Sequence, residues 1–141
     1  MTTEDIYPMP MFVNLYVSDL DASLDWYQKV LGFRIVFGGQ NESFAHVRRE
    51  KYQDLLLFRT ESGRGENLGA GIIIQFQAGM IKVDDIANVV REAGDFSIDG
   101  PEDRPWNARE VTIMDPDGYR LRFSEPIDMG LSFEEVMNPI E

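Results

Sequence analysis

The strongest constraint on this 141-residue chain is that its second half repeats the element signals of its first at a nearly constant spacing. Val17-Ser18-Asp19-Leu20 returns as Val83-Asp84-Asp85-Ile86, 66 residues later. Gly32, placed to end a helix, returns as Gly94 after 62 residues. Asp54, ahead of a fourth strand, returns as Gly118, ahead of an eighth, after 64. Repeats of this kind mark one supersecondary unit used twice.

The unit can be read residue by residue. Met11 to Val17 is rich in β-branched and aromatic residues and predicts a strand. Ser18 and Asp19 supply helix N-cap chemistry. Leu20, Leu24, Tyr27 and Leu31 fall on one helical face, and Gly32 follows as a left-handed terminator. Phe33 to Phe37, Ser43 to Arg49 and Asp54 to Arg59 predict three further strands, giving βαβββ. In the second half, Ile72 to Val83 is strand-like, with a possible break at Ala78-Gly79. Asp84 and Asp85 are expected to cap a helix over Ile86 to Ala93. A short strand near Phe96 to Ile98 precedes a Pro-rich loop from Gly100 to Asn107. Strands over Arg109 to Met114 and Tyr119 to Ser124 complete a second βαβββ.

These boundaries predict a single domain over 1–141, with module one at about 10–60 and module two at about 72–125. A glycine-rich connector at 61–71 joins them, and a C-terminal tail spans 126–141. Asp115-Pro116-Asp117-Gly118 suits a type I turn followed by a left-handed residue. That turn pairs Thr112 with Arg122 and Ile113 with Leu121, which keeps one face apolar. Thr112, Arg120, Arg122 and Ser124 then share the other face.

Composition narrows the functions. The formal charge is −12, which disfavours nucleic acid and anionic membranes as partners, because phosphate binding needs clustered Lys and Arg. Solubility, salt adaptation or attraction of a cationic ligand would each use such a surface. There are no cysteines, so disulfides and thiolate chemistry are out. No apolar run approaches the roughly 20 residues of a membrane helix. Met1-Thr2-Thr3-Glu4-Asp5 lacks a signal-peptide pattern, and a cytoplasmic location is the expectation.

Val17-Ser18-Asp19-Leu20-Asp21-Ala22-Ser23-Leu24-Asp25-Trp26-Tyr27, Val30-Leu31-Gly32-Phe33, Arg109-Glu110-Val111 and Asp115-Pro116-Asp117-Gly118-Tyr119-Arg120-Leu121 together resemble the vicinal oxygen chelate superfamily. That superfamily holds glyoxalase I, extradiol dioxygenases, and fosfomycin and bleomycin resistance proteins. The resemblance implies an α+β fold in which two βαβββ modules form a curved eight-stranded mixed sheet with a concave ligand pocket. It also implies a homodimer.

Metal-dependent members draw His, Glu or Gln ligands from the first, fourth, fifth and eighth strands. Transferred by motif offset, those positions are Phe12, Phe58, Ala78 and Arg122. None has a lone pair to give, and a guanidinium opposes a cation. The expectation is therefore no metal, no cofactor and no catalytic residue. The single histidine, His46, reads as an edge or surface residue beside Arg48, Arg49 and Glu50. Glu110 reads as a partner for Arg122 or Arg120.

Strand alternation and the transfer put Phe12, Asn14, Tyr16, Phe58, Thr112, Arg122 and Ser124 on the concave face as ligand-binding residues, joined by Trp106 from a loop. Trp106 could be a lid or could cover the sheet end. Phe12 and Phe58 could line the pocket or fill it. Three functions follow. A bleomycin-resistance-like protein would bind a small aromatic or drug-like ligand without metal, as in antibiotic resistance. A metal-dependent glyoxalase-like lyase, isomerase or dioxygenase needs a different ligand alignment. A non-catalytic regulatory or interaction domain would use Leu131, Phe133 and Val136 of the tail. The reading leans to the non-enzymatic binder.

Overall fold

A computed structural model describes residues 9, 11–39, 42–60, 72–94 and 98–137, except the side chains of 133 and 137. The element order is β1 (Val13–Val17), α1 (Leu20–Leu31), β2 (Arg34–Gly38), β3 (Phe44–Arg48), β4 (Asp54–Arg59), β5 (Ile73–Gln77), α2 (Val83–Ala93), β6 (Ile98–Arg104), β7 (Ala108–Met114), β8 (Arg120–Pro126) and α3 (Phe133–Met137). The eight strands form two four-stranded mixed sheets, ordered β1-β4-β3-β2 and β5-β8-β7-β6. In each, the first strand of the module runs parallel to the last, and the remaining pairs are antiparallel. The chain divides into two compact units, Met1–Leu68 with Pro116–Gly118, and Gly69–Asp115 with Tyr119–Glu141.

The first unit follows from its apolar periodicity. Leu20, Leu24, Tyr27 and Leu31 are buried, as are Leu15 and Val17 of β1, Ala45 and Val47 of β3, and Leu55 and Leu57 of β4. Alternation along each strand places these side chains on the helix side. The α1 start is closed by Asp19, whose carboxylate accepts from Ala22 N at 3.1 Å, and its end by Gly32 at φ 74°. Within the same unit Asp117 is buried. It accepts from Ser18 N at 3.0 Å, Ser18 Oγ at 2.8 Å and Ser23 Oγ at 3.3 Å.

In the second unit, Val83, Ile86, Ala87 and Val90 of α2 are buried. So are Phe76, Val111, Ile113, Leu121 and Phe123. Phe76 and Phe123 stack with centroids 5.1 Å apart. The β7–β8 register is the expected one, with Thr112 opposite Arg122 and Ile113 opposite Leu121. Gly118 has φ 91°, the left-handed residue that turn requires.

Several expectations change. The second helix starts at Val83, so Asp84 and Asp85 lie in its first turn and do not cap it. The Val83 N–H is instead taken by Glu125 Oε1 of β8 at 2.6 Å. The expected Pro-rich loop is mostly strand, since β6 runs to Arg104. It is an edge strand with a register shift between Asp99 and Glu102, a place where proline costs no ladder bond. Phe96 and the 61–71 connector lie outside the described residues. The tail carries a short helix closed by a capping box, Glu135 N to Ser132 Oγ at 3.2 Å and Ser132 N to Glu135 Oε1 at 3.3 Å.

Candidate ligand-binding site

The face of the first sheet opposite α1 carries rings. Tyr16 stands beside Phe58 in the parallel register, with centroids 5.7 Å apart. Phe58 stacks on Phe44 of β3 at 5.7 Å, and Phe44 meets Phe37 of β2 at 5.9 Å. Four rings thus cross all four strands in one row. Tyr16 is 52% and Phe37 58% exposed, so the ends of the row are open. Phe12 is 44% exposed and Asn14 is exposed. Phe58 is half-buried.

Next to the rings lies a polar cluster. Asp54 Oδ2 accepts from Arg48 Nε and Nη2, both at 2.9 Å, and contacts His46 Nε2. The His46 side chain is only 15% exposed and that of Asp54 1%. The expected surface role for His46 is overturned. The hairpin sets Arg48 opposite Asp54, and His46, two residues along the same face, leans back to the same carboxylate.

The other expected site residues sit in the second unit. Thr112 and Arg122 are brought together, Arg122 Nε donating to Thr112 Oγ1 at 3.1 Å. Both line a cavity of about 210 Å³. Ile73, Ile98 and Met114 supply its apolar wall, and Asp99 and Arg120 further polar groups. Ser124 is buried, opposite Gln77 and Glu110 in the ladder. Trp106, in the turn after β6, donates its Nε1 to Glu110 Oε2 at 3.4 Å, and Arg104 lies 6.0 Å from its ring centroid. Glu110 is buried, and its cation is Arg104, whose Nε is 3.4 Å from Oε1 without hydrogen-bond geometry. The expected pairing of Glu110 with Arg120 or Arg122 is not found.

The residues do not fit the metal that the fold family uses. Phe12, Phe58 and Arg122 offer no ligand atom, and Arg122 already engages Thr112. Ala78 lies past the end of β5, because the offset taken from the helix starts does not hold in the strands. There Gln75 faces Arg122 as Tyr16 faces Phe58, a spacing of 59. Among the described residues no three His, Asp or Glu side chains gather.

Phe44, Phe37, Asp99 and Ile73 were missed by sequence reasoning. A register shift between Ile35 and Phe37 hides the face on which Phe37 emerges. Asp99 lies in a strand that reads as strand end and loop. Arg120 reads onto the correct face, but nothing in the sequence marks it as a cavity residue.

The family model described as Glyoxalase/Bleomycin resistance protein/Dioxygenase superfamily matches residues 11–123. No curated protein sequence matches. Among solved structures, fosfomycin resistance protein FosX from Listeria monocytogenes aligns with a TM-score of 0.65 at 13% identity, covering 94% of this chain and 99% of that one. The bleomycin resistance determinant encoded on transposon Tn5 gives 0.64 at 21% identity, covering 82% and 96%. TnmS3, an antibiotic binding protein from Streptomyces sp. CB03234, gives 0.61 at 24% identity, covering 82% and 93%. At these identities the likeness is one of fold.

Proposed function

We propose, for a chain that belongs to the Glyoxalase/Bleomycin resistance protein/Dioxygenase superfamily, that it binds a planar aromatic small molecule on the ring row of its first sheet, without a metal ion. The observation that carries this is the row Tyr16, Phe58, Phe44 and Phe37, aligned across four strands and open at both ends. Exposed rings in a line lose apolar contact to water unless something covers them, and a flat ligand recovers that area by stacking. Ring faces also favour cations, and the −12 charge draws them. Asn14 and the Asp54–His46 pair supply polar groups at the edge of the row. Two of the structural neighbours are described as a bleomycin resistance determinant and an antibiotic binding protein, which is the kind of role this reading assigns. The protein is further read as a homodimer, which sedimentation of the purified chain would test, and as cytoplasmic, which fractionation of cells producing it would test.

The binding test is a thermal-shift and calorimetric screen of planar aromatic cations and bleomycin-type glycopeptides. A ligand of this class is expected to bind at about one per chain. Tyr16→Ala and Phe58→Ala are each expected to weaken it roughly tenfold, the worth of one lost stacking contact of about 1.4 kcal/mol. Binding should be unchanged after dialysis against a chelator. Affinity that vanishes with chelation and returns with Ni, Zn, Mn or Fe would refute the metal-free reading. Failure of every planar ligand would refute the site.

A further inference from the structure

We infer that the ligand of the ring row is a hydroxyarene whose hydroxyl donates a hydrogen bond to Nδ1 of His46, an inference that rests on the reading of the row given above. The starting point is which imidazole nitrogen is already taken. Arg48 is charged and reaches Asp54 Oδ2 through Nε and Nη2, both at 2.9 Å. Asp54 is therefore an ionised acceptor, and the His46 nitrogen that meets it, Nε2, carries a hydrogen. Arg48 already balances the Asp54 charge, so a neutral imidazole leaves the three side chains with no net charge. In that form Nδ1 holds a lone pair and accepts.

That lone pair has nothing to receive. Among the described residues His46 makes no hydrogen bond besides the one to Asp54. Nor is Nδ1 sealed in the interior. The buried side-chain polar atoms left without a partner belong to Asp21, Trp26, Arg104 and Glu110. The His46 side chain is 15% exposed, while those of Asp54 and Arg48 behind it are 1% and 5% exposed. One edge of the imidazole is thus clamped by a buried ion pair, and the other is reached from outside.

The acceptor stands at the ring row. Phe44 and His46 are two residues apart on β3, so their side chains leave on the same face about 6.8 Å apart. Phe37 lies opposite His46 in the β2–β3 register, and its ring meets that of Phe44 with centroids 5.9 Å apart. A flat molecule stacked over Phe44 and Phe37 turns its edge, where ring substituents sit, toward His46. Leu56, opposite His46 on β4, offers no polar group. The acceptor therefore selects the substituent. A hydroxyl gives its one hydrogen to Nδ1. An ether oxygen has none to give and sets two acceptors face to face. A carboxylate does the same and adds a charge like that of Asp54. A primary amine leaves its second hydrogen unpaired between Leu56 and Phe37.

The test titrates 7-hydroxycoumarin, 7-methoxycoumarin and coumarin into the full chain near neutral pH, by calorimetry and by NMR of the imidazole nitrogens. The chain has one histidine, so with any affinity tag removed its ring nitrogens are read directly, and this measurement needs no variant to fold. The free protein is expected to show a protonated Nε2 and an unprotonated Nδ1. 7-Hydroxycoumarin is expected to bind at least roughly tenfold tighter than the other two, because a site with an unpaired acceptor rejects analogues that lack the donor. It should also move the Nδ1 resonance, which 7-methoxycoumarin should leave in place. His46→Leu, shown folded by circular dichroism, should bring the three affinities within about twofold of one another. A protonated Nδ1 in the free protein, an Nδ1 resonance that 7-hydroxycoumarin does not move, or a preference that survives in folded His46→Leu overturns the inference. Equal binding of all three coumarins overturns it too and leaves the ring row standing, as does failure of all three where another planar aromatic binds. Failure of every planar aromatic overturns both.

Discussion

Asp54 holds two nitrogen side chains on a face that otherwise carries rings. Its carboxylate is almost fully buried, and Arg48 beside it is 5% exposed at the side chain. Such a pair offsets its own desolvation only while both partners remain. Asp54→Ala takes the carboxylate from a buried guanidinium and is expected to cost about 3–5 kcal/mol, measured as a drop in urea midpoint at unchanged slope. A cost below about 1 kcal/mol would mean that Arg48 finds equal compensation elsewhere. The same residue shows what a linear reading misses. His46, Arg48 and Asp54 are all visible in the chain, but their convergence depends on the β3–β4 register, which pairs Arg48 with Asp54. Glu110 makes the same point, because its partners Arg104 and Trp106 lie in a segment that reads as an unstructured Pro-rich loop.

At the level of elements, local chemistry was most readable where the signal lay within a few residues. The Asp19 cap, the Gly32 terminator, the apolar stripe of α1 and the bulged turn before Tyr119 all follow from short-range rules. The start of α2 does not. Lys82 occupies its N-cap and makes no side-chain bond there, while Glu125, 42 residues away, accepts from Val83 N. Glu125 also meets the positive end of the helix dipole. Glu125→Ala is expected to destabilise the chain by about 0.5–2 kcal/mol, and Glu125→Gln by less, since an amide oxygen can still accept. Hydrogen exchange at the first turn of α2 should quicken in the Ala variant. An unchanged exchange rate there would show that the capping bond contributes nothing.

Across the whole molecule, the −12 charge is spread over a fold that has 13 basic residues to set against 25 acidic ones. Self-repulsion of that size opposes the folded state and is screened by salt. The melting temperature is expected to rise by a few degrees between about 20 and about 200 mM NaCl, as read by circular dichroism. A flat or falling curve would mean that paired charges, such as Arg109 with Asp84 and Asp103, dominate the balance. The amino-acid sequence alone determined the two βαβββ modules, their helices and the inward apolar faces, because periodicity and caps act over a few residues. The family resemblance implied metal positions at Phe12, Phe58, Ala78 and Arg122, and the transfer to Ala78 fails because the helix-start offset does not hold in the strands. The tertiary structure decided which polar groups meet. Strand register alone sets the ring row across β1, β4, β3 and β2, the Asp54 cluster, and two arginines left facing a cavity, since contacts between strands depend on pairings that no local rule encodes.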